Sequence, residues 1–135
     1  MHARLLLWGI MVGFPALALA AQDLRISNRA PQPGEVGYQP ADGAAVRLNP
    51  PSFIWLHETN AQTYAVQWAR QGDFSDVVTV TNLPWNTYTH HAPFEPGAYV
   101  WRYRFAAPDG RVSNWSLSRR VVVPTEAQTS RSRGI

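Results

Sequence analysis

The chain has 135 residues, of which 45% are apolar, 12% aromatic and 16% charged, a composition that suits one packed domain with short extensions and excludes a disordered chain. It has no cysteine and no lysine, its twelve basic residues all being arginine, which excludes disulfides, thiolate metal sites, cysteine nucleophiles, Schiff-base chemistry and a phosphate-loop lysine. The net charge of +3 comes from arginines spread along the chain, so no nucleic-acid partner is expected.

In chain order, His2 and Arg4 precede an apolar run from Leu5 to Leu19 whose end is marked by Ala16, Ala18, Ala20 and Ala21. Small residues three and one before a junction fit a secretory peptidase, so residues 1–20 are expected to be a signal peptide cleaved after Ala20. Gly13 and Pro15 break the run, whereas a membrane-spanning helix needs about 20 predominantly apolar residues. The expected location is therefore periplasmic or secreted, with no membrane contact after cleavage. Residues 21–44 carry Pro31, Pro33, Pro40, Gly34, Gly37 and Gly43, the composition of an extended arm lying on a surface.

From Val46 onward the apolar residues recur with period two: Phe53 and Trp55; Tyr64, Val66 and Trp68; Val78 and Val80; Tyr99, Trp101, Tyr103 and Phe105; Val121 and Val123. This is the pattern of strands with one face in a shared core. Turn clusters separate them, at Glu58-Thr-Asn60, Gln71-Gly-Asp73, Leu83-Pro-Trp85, Glu95-Pro-Gly97 and Pro108-Asp-Gly110. That spacing predicts an all-β antiparallel sandwich over residues 45–124, followed by a polar tail at 125–135. The longest strand places Tyr99, Trp101, Tyr103 and Phe105 on one side and Val100, Arg102 and Arg104 on the other. Tyr99 follows Pro96-Gly97, where a tyrosine hydroxyl is expected to tie down the preceding corner.

Residues able to carry chemistry are few. His90 and His91 are adjacent in an extended stretch, which predicts imidazoles on opposite faces and argues against their chelating one metal. His57 beside Glu58 lacks the helical spacing of a zinc protease and is expected on a surface turn. No nucleophile elbow, glycine-rich phosphate cradle or pair of acids on neighbouring strands is present. No catalytic residue, cofactor or metal is therefore expected. Asn114-Trp115-Ser116 is a glycosylation acceptor only in a eukaryotic secretory route. Of fourteen aromatics after Ala20, most fall at inward strand positions; Trp85 and Tyr88, in the loop-like stretch from Asn82 to Tyr88, are the candidates for contact with a glycan or a neighbouring domain. Arg102 and Arg104, with either Arg119 or Arg120, are expected to interleave across strands and stack on Trp115. The same arginine face is one that could hold an acidic polysaccharide.

Gly37-Tyr-Gln-Pro-Ala-Asp-Gly43, Asn49-Pro-Pro-Ser-Phe-Ile-Trp55, Tyr64-Ala-Val-Gln67, Asp73-Phe74, Leu83-Pro-Trp85, Pro96-Gly-Ala-Tyr-Val-Trp-Arg-Tyr103, Gly110 and Trp115-Ser116 with Arg119 together resemble a known segment. It is the fibronectin type III-like segment at the N-terminus of bacterial heparinase II/III-type polysaccharide lyases, a group that includes oligoalginate lyases. The resemblance spans Gly34 to Pro124 and implies a fibronectin type III or immunoglobulin-like antiparallel β-sandwich. In that family the segment precedes a helical toroid and a further β-sandwich, whose Tyr, His and sometimes Glu or Asn residues cleave uronic-acid polysaccharides by elimination. This chain stops at Ile135, so no family catalytic residue is carried over, and the polar tail reads as a truncated or frameshifted ending. The implied role is a non-catalytic accessory domain that docks and spaces, with a capacity to retain anionic polysaccharide and with the catalytic toroid, in cis or lost, as its partner. The arm from Gln22 to Gly43 and the loop around Trp85 are the surfaces expected to pack against that domain. The alternative is a free-standing carbohydrate-binding or protein-interaction module, which predicts Trp85 and Tyr88 exposed together on one concave face.

Overall fold

Period-two alternation becomes strand almost everywhere it occurs. The computed structural model describes residues 24–71 and 74–129; the expected signal peptide and the end of the tail, 130–135, lie outside the described residues. The strands are β1 (Ala44–Ala45), β2 (Leu48–Asn49), β3 (Ser52–Ile54), β4 (Thr63–Arg70), β5 (Val77–Leu83), β6 (Thr87–Thr89), β7 (Gly97–Ala106), β8 (Arg119–Val123) and β9 (Gln128–Thr129). No helix occurs among the described residues. Five strands form one sheet in the order β1-β8-β7-β4-β5, antiparallel except that β1 runs parallel to β8. β3 pairs antiparallel with β6, and β2 pairs parallel with β9.

The core lies between the large sheet and the β3–β6 pair. Tyr99, Trp101, Tyr103 and Phe105 of β7 are buried, while the intervening Val100, Arg102 and Arg104 are half-buried on the opposite face. Phe53 of β3 lies opposite Tyr88 of β6, and its ring comes within 5.2 Å of Trp101 and 5.5 Å of Trp68 in the large sheet. Trp55 stacks on Tyr103 at 5.4 Å. The arrangement is all-β and fits a β-sandwich. Full burial of each large ring contributes about 1.5–3 kcal/mol, which is how a chain without disulfides holds two layers together. Val78 departs from the pattern at 44% exposure, because β5 is the outermost strand of the sheet and no second layer need cover its margin.

The corners form as their residues require. Tyr99 Oη donates to the Glu95 carbonyl at 2.7 Å, the expected tie across the turn that opens β7. Gly97 leaves room for Arg70: a Cβ there would lie 2.5 Å from a guanidinium nitrogen that donates to the Pro96 carbonyl. Asn49 does the work of a strand end, its side-chain amide donating to the Phe94 carbonyl and its oxygen accepting the Phe94 N–H, both at 2.7 Å.

Both extensions belong to the sandwich. Gln39 exchanges two backbone hydrogen bonds with Ile54, at 2.9 and 2.8 Å, Ile26 is buried in the core cluster, and Tyr38 packs against it. The side of the arm that meets the body is thus occupied by this chain's own residues, and Val36, 68% exposed, is the apolar group it leaves free. On the other end, β9 pairs Gln128 with Leu48, so the first part of the tail is strand rather than a loose end.

Candidate functional site

The arginine face of β7 is built by two serines. Ser113 and Ser116 are buried; their backbone N–H groups donate to the Phe105 and Tyr103 carbonyls, and their Oγ atoms accept the N–H groups of Phe105 and Tyr103 at 3.1 and 3.0 Å. A hydroxyl ladder here replaces a strand pairing and leaves Trp115, between the two anchors, to turn outward across β7. Arg102 and Arg104 lie over the Trp115 ring at 4.7 and 4.3 Å, and Arg102 also lies 4.0 Å over Phe74, from the turn before β5. Arg102 Nε donates to Gln67 Oε1 at 2.9 Å. Burial first, and the charge of Arg104 second, pull Arg102 below the ordinary arginine range.

The ladder stops at these two arginines. Arg119 pairs with Trp101 in register and therefore points to the core side, where it lies 3.6 Å over the Tyr38 ring. Arg120 faces the other way, and its backbone N–H donates to Asp42 at 2.7 Å. Neither supplies the expected third rung on Trp115: Arg119 lies on the core side over Tyr38, and the Arg120 guanidinium lies 4.0 Å from Asp42 instead.

Next to Arg104 the sheet is indented. β4 and β5 change register between Tyr64–Leu83 and Val66–Val80, an extra residue on β5 that makes a bulge, and Asn82 there takes a left-handed φ of 59°. The result is a depression of about 120 Å³ bordered by Arg104, Thr63, Thr81, Asn82, Ala65 and Val112.

Trp85 and Tyr88 are separated by the fold. The stretch read as a loop is strand at both ends, with only Pro84–Asn86 between β5 and β6. Tyr88 turns inward and stacks on Trp68 at 6.0 Å, half-buried, because its register partner is the core residue Phe53. Trp85 stays 71% exposed, and no ring contact involves it among the described residues. Trp85 is thus exposed while Tyr88 is half-buried against Trp68, where the free-standing binder predicts both rings exposed together. Beside Trp85, Asn86 Nδ2 donates to the Trp55 carbonyl at 2.7 Å, and Asn86 and Thr87 border a cleft of about 270 Å³ whose far wall is Glu35, Val36 and His57.

The titratable groups inside are committed to holding strands. Glu58, 4% exposed, accepts from Ser27 N, Ser27 Oγ and Tyr103 Oη at 3.1, 3.1 and 2.8 Å. Its backbone N–H donates to Tyr64 Oη at 2.9 Å. Burial raises the Tyr103 hydroxyl far above its ordinary value, reinforced by the hydrogen bond to Glu58, and burial also raises Tyr64. His57 is exposed, as expected of a surface turn. The histidine pair corrects the expectation of opposed rings: the His90 and His91 rings lie 4.2 Å apart. β6 ends at Thr89, so strand alternation no longer governs the two residues after it. His90 Nδ1 lies 3.0 Å from Tyr88 Oη, and burial followed by the charge of His91 lowers its pKa. No group of three or more His, Cys, Asp or Glu side chains able to hold a metal occurs among the described residues.

Alternation on β7 was enough to pick out Arg102 and Arg104. Glu58 had no such signal, since its partners Ser27 and Tyr103 lie 31 and 45 residues away. Asn82 had a weak one, an Asn inside a run of β-branched residues, which is where bulges occur. Neither a scan against protein-family models nor a search among curated proteins finds a match to the chain.

Proposed function

We propose that the chain is a non-catalytic accessory domain, a fibronectin type III-like sandwich belonging to an exported polysaccharide lyase of the heparinase II/III type, and that it docks against and spaces a catalytic toroid that acts on uronic-acid polysaccharides. The observation that carries the docking role is Trp85, 71% exposed in the turn just before Asn86 and Thr87, which border a cleft of about 270 Å³ whose lining includes Val36, itself 68% exposed. A large ring left in water beside a concave wall is typical of a surface covered by a partner. The tie from Tyr99 to Glu95 supports the fibronectin-like reading, since sandwiches of that kind fix the same corner with a tyrosine. The commitment of Glu58, Tyr103 and Tyr64 to strand ties supports a scaffold role for the interior.

Two measurements test this. If the DNA downstream encodes a helical toroid, that polypeptide co-expressed with the chain is expected to co-elute with it, and Trp85→Ala is expected to break the complex. The pure chain mixed with alginate or heparan is expected to yield no ultraviolet absorbance from unsaturated uronates; a time-dependent rise that survives repurification would sink the non-catalytic reading.

A further inference from the structure

We infer that the outer face of the five-stranded sheet carries a binding site for a carboxylate-bearing saccharide, with Arg104 as its anion-holding group and Thr63, Thr81 and Asn82 as the groups that meet sugar hydroxyls. The inference deepens the proposed function: the place of the site rests on the residues below, and the uronate class of its ligand rests on that function.

Charge is the first argument. Arg29, Arg70, Arg111 and Arg120 each face an acid, at 2.7, 3.0, 2.7 and 4.0 Å. Arg102 and Arg104 have no such partner among the described residues, although they project from one face of one strand about 7 Å apart. Two like charges held close at a half-buried surface repel, and an anion between or beside them relieves both the repulsion and the burial. The guanidiniums are also held in place. Phe74 and Trp115 sandwich Arg102, Gln67 fixes its Nε, and Trp115 backs Arg104. A guanidinium stacked on a ring keeps its N–H edge for a planar carboxylate, and a side chain already ordered loses less entropy on binding.

Shape is the second. The depression of about 120 Å³ next to Arg104 presents the hydroxyls of Thr63 and Thr81 and the amide of Asn82 around Ala65 and Val112. The Asn82 side chain has no hydrogen-bond partner among the described residues. Hydroxyl and amide groups around a small apolar floor match a pyranose, which offers hydroxyls at its rim and C–H groups on its face. A nucleic acid fits less well. The Trp115 ring already carries two guanidiniums, so a base lacks a stacking platform, and two unpaired cations are few for tracking a phosphate backbone.

The test is calorimetric titration of the full chain with a mannuronate tetrasaccharide, a sulfated maltotetraose, neutral cellotetraose and a short single-stranded oligonucleotide. Saturable heat is expected with the uronate and none with cellotetraose. Arg104→Gln is expected to weaken uronate binding at least about tenfold, and Asn82→Gly, which keeps the left-handed backbone while deleting the amide, severalfold. Arg47→Gln, which removes the same charge from an exposed site elsewhere, is expected to leave binding unchanged, with thermal melts confirming that all three variants fold. Absence of saturable uronate heat, an Arg104→Gln affinity equal to that of the parent, tighter binding of the sulfated sugar than of the uronate, or oligonucleotide binding as tight as the uronate would each overturn the site as assigned. The two proposals fail separately. Loss of uronate binding leaves co-elution with the toroid untouched, and loss of co-elution leaves the saccharide titration untouched.

Discussion

The two faces of β7 are made from one ten-residue segment and do opposite things. Its inward residues Trp101 and Tyr103 are 0% exposed and packed against rings from β3 and the segment that follows it. Its outward residues Arg102 and Arg104 stack on a single indole at a half-open surface. Period-two geometry therefore separates the core face from the proposed saccharide face residue by residue, so that one can be altered with little effect on the other.

The sharpest way to break that contrast is Trp101→Ala, which deletes the ring at the centre of the inner face. Removing a buried Trp costs about 3–5 kcal/mol, so the variant is expected to unfold or to melt far below the parent in chemical denaturation. A loss under about 1 kcal/mol would mean that the two layers do not share one core. Glu58→Ala comes next. It removes the acceptor of three hydrogen bonds, bonds to a charged group being worth about 1.5–3 kcal/mol, and it frees the arm at Ser27. Limited proteolysis is expected to cut the arm first in this variant, whereas the Arg104 variant is expected to keep it protected. Tyr99→Phe is smaller. It deletes only the bond to the Glu95 carbonyl, with an expected loss of about 1 kcal/mol, and no measurable loss would reduce the corner tie to a bystander.

These effects also mark how far the fold was legible. Alternation located β4, β7 and β8, and proline and glycine located the corners, because period and turn chemistry are local. What alternation did not reach is set by contacts distant along the chain. Tyr88 reads as a loop residue until β3 supplies Phe53 opposite it, and the arm reads as a surface ribbon until Ser27 meets Glu58 and Gln39 pairs with Ile54. His90 and His91 read as opposed until the strand ends before them. The candidate site divides in the same way. Arg102, Arg104 and Trp115 were visible as residue types at the right spacing, while the depression beside Arg104 depends on a register shift between β4 and β5 that no single strand contains.

On the outer face, Arg104→Gln is expected to cost only about 0.5–1 kcal/mol, the worth of one exposed cation–π pair. Loss of the whole fold in this variant would erase the separation of faces, since the outer ladder would then be as necessary as the core.

The smallest effect concerns a second carboxylate of the arm, and it sharpens the comparison with Glu58. Glu35 accepts two hydrogen bonds from the Arg29 guanidinium, at 2.7 and 2.8 Å, and one from the Gln32 N–H at 2.7 Å. The guanidinium first and the backbone N–H second bring its pKa down from 4.5 to about 2. A carboxylate whose folded pKa is depressed contributes stability that is fully present above its unfolded value and disappears as pH falls through the folded one. The Glu35 contribution is therefore lost between pH 4.5 and about 2. The pair is open to solvent, so salt screens it. Glu58 has no ion-pair partner among the described residues, and because its donors, the Ser27 N–H and the Ser27 and Tyr103 hydroxyls, carry no charge, its hydrogen bonds should respond little to ionic strength. Carboxyl NMR titration is expected to give Glu35 a midpoint near 2 at low salt, moving upward as salt is added. A midpoint at the ordinary carboxylate value would show that the Arg29 clip does not hold in solution, leaving Glu58 and the Gln39–Ile54 pairing to fix the arm.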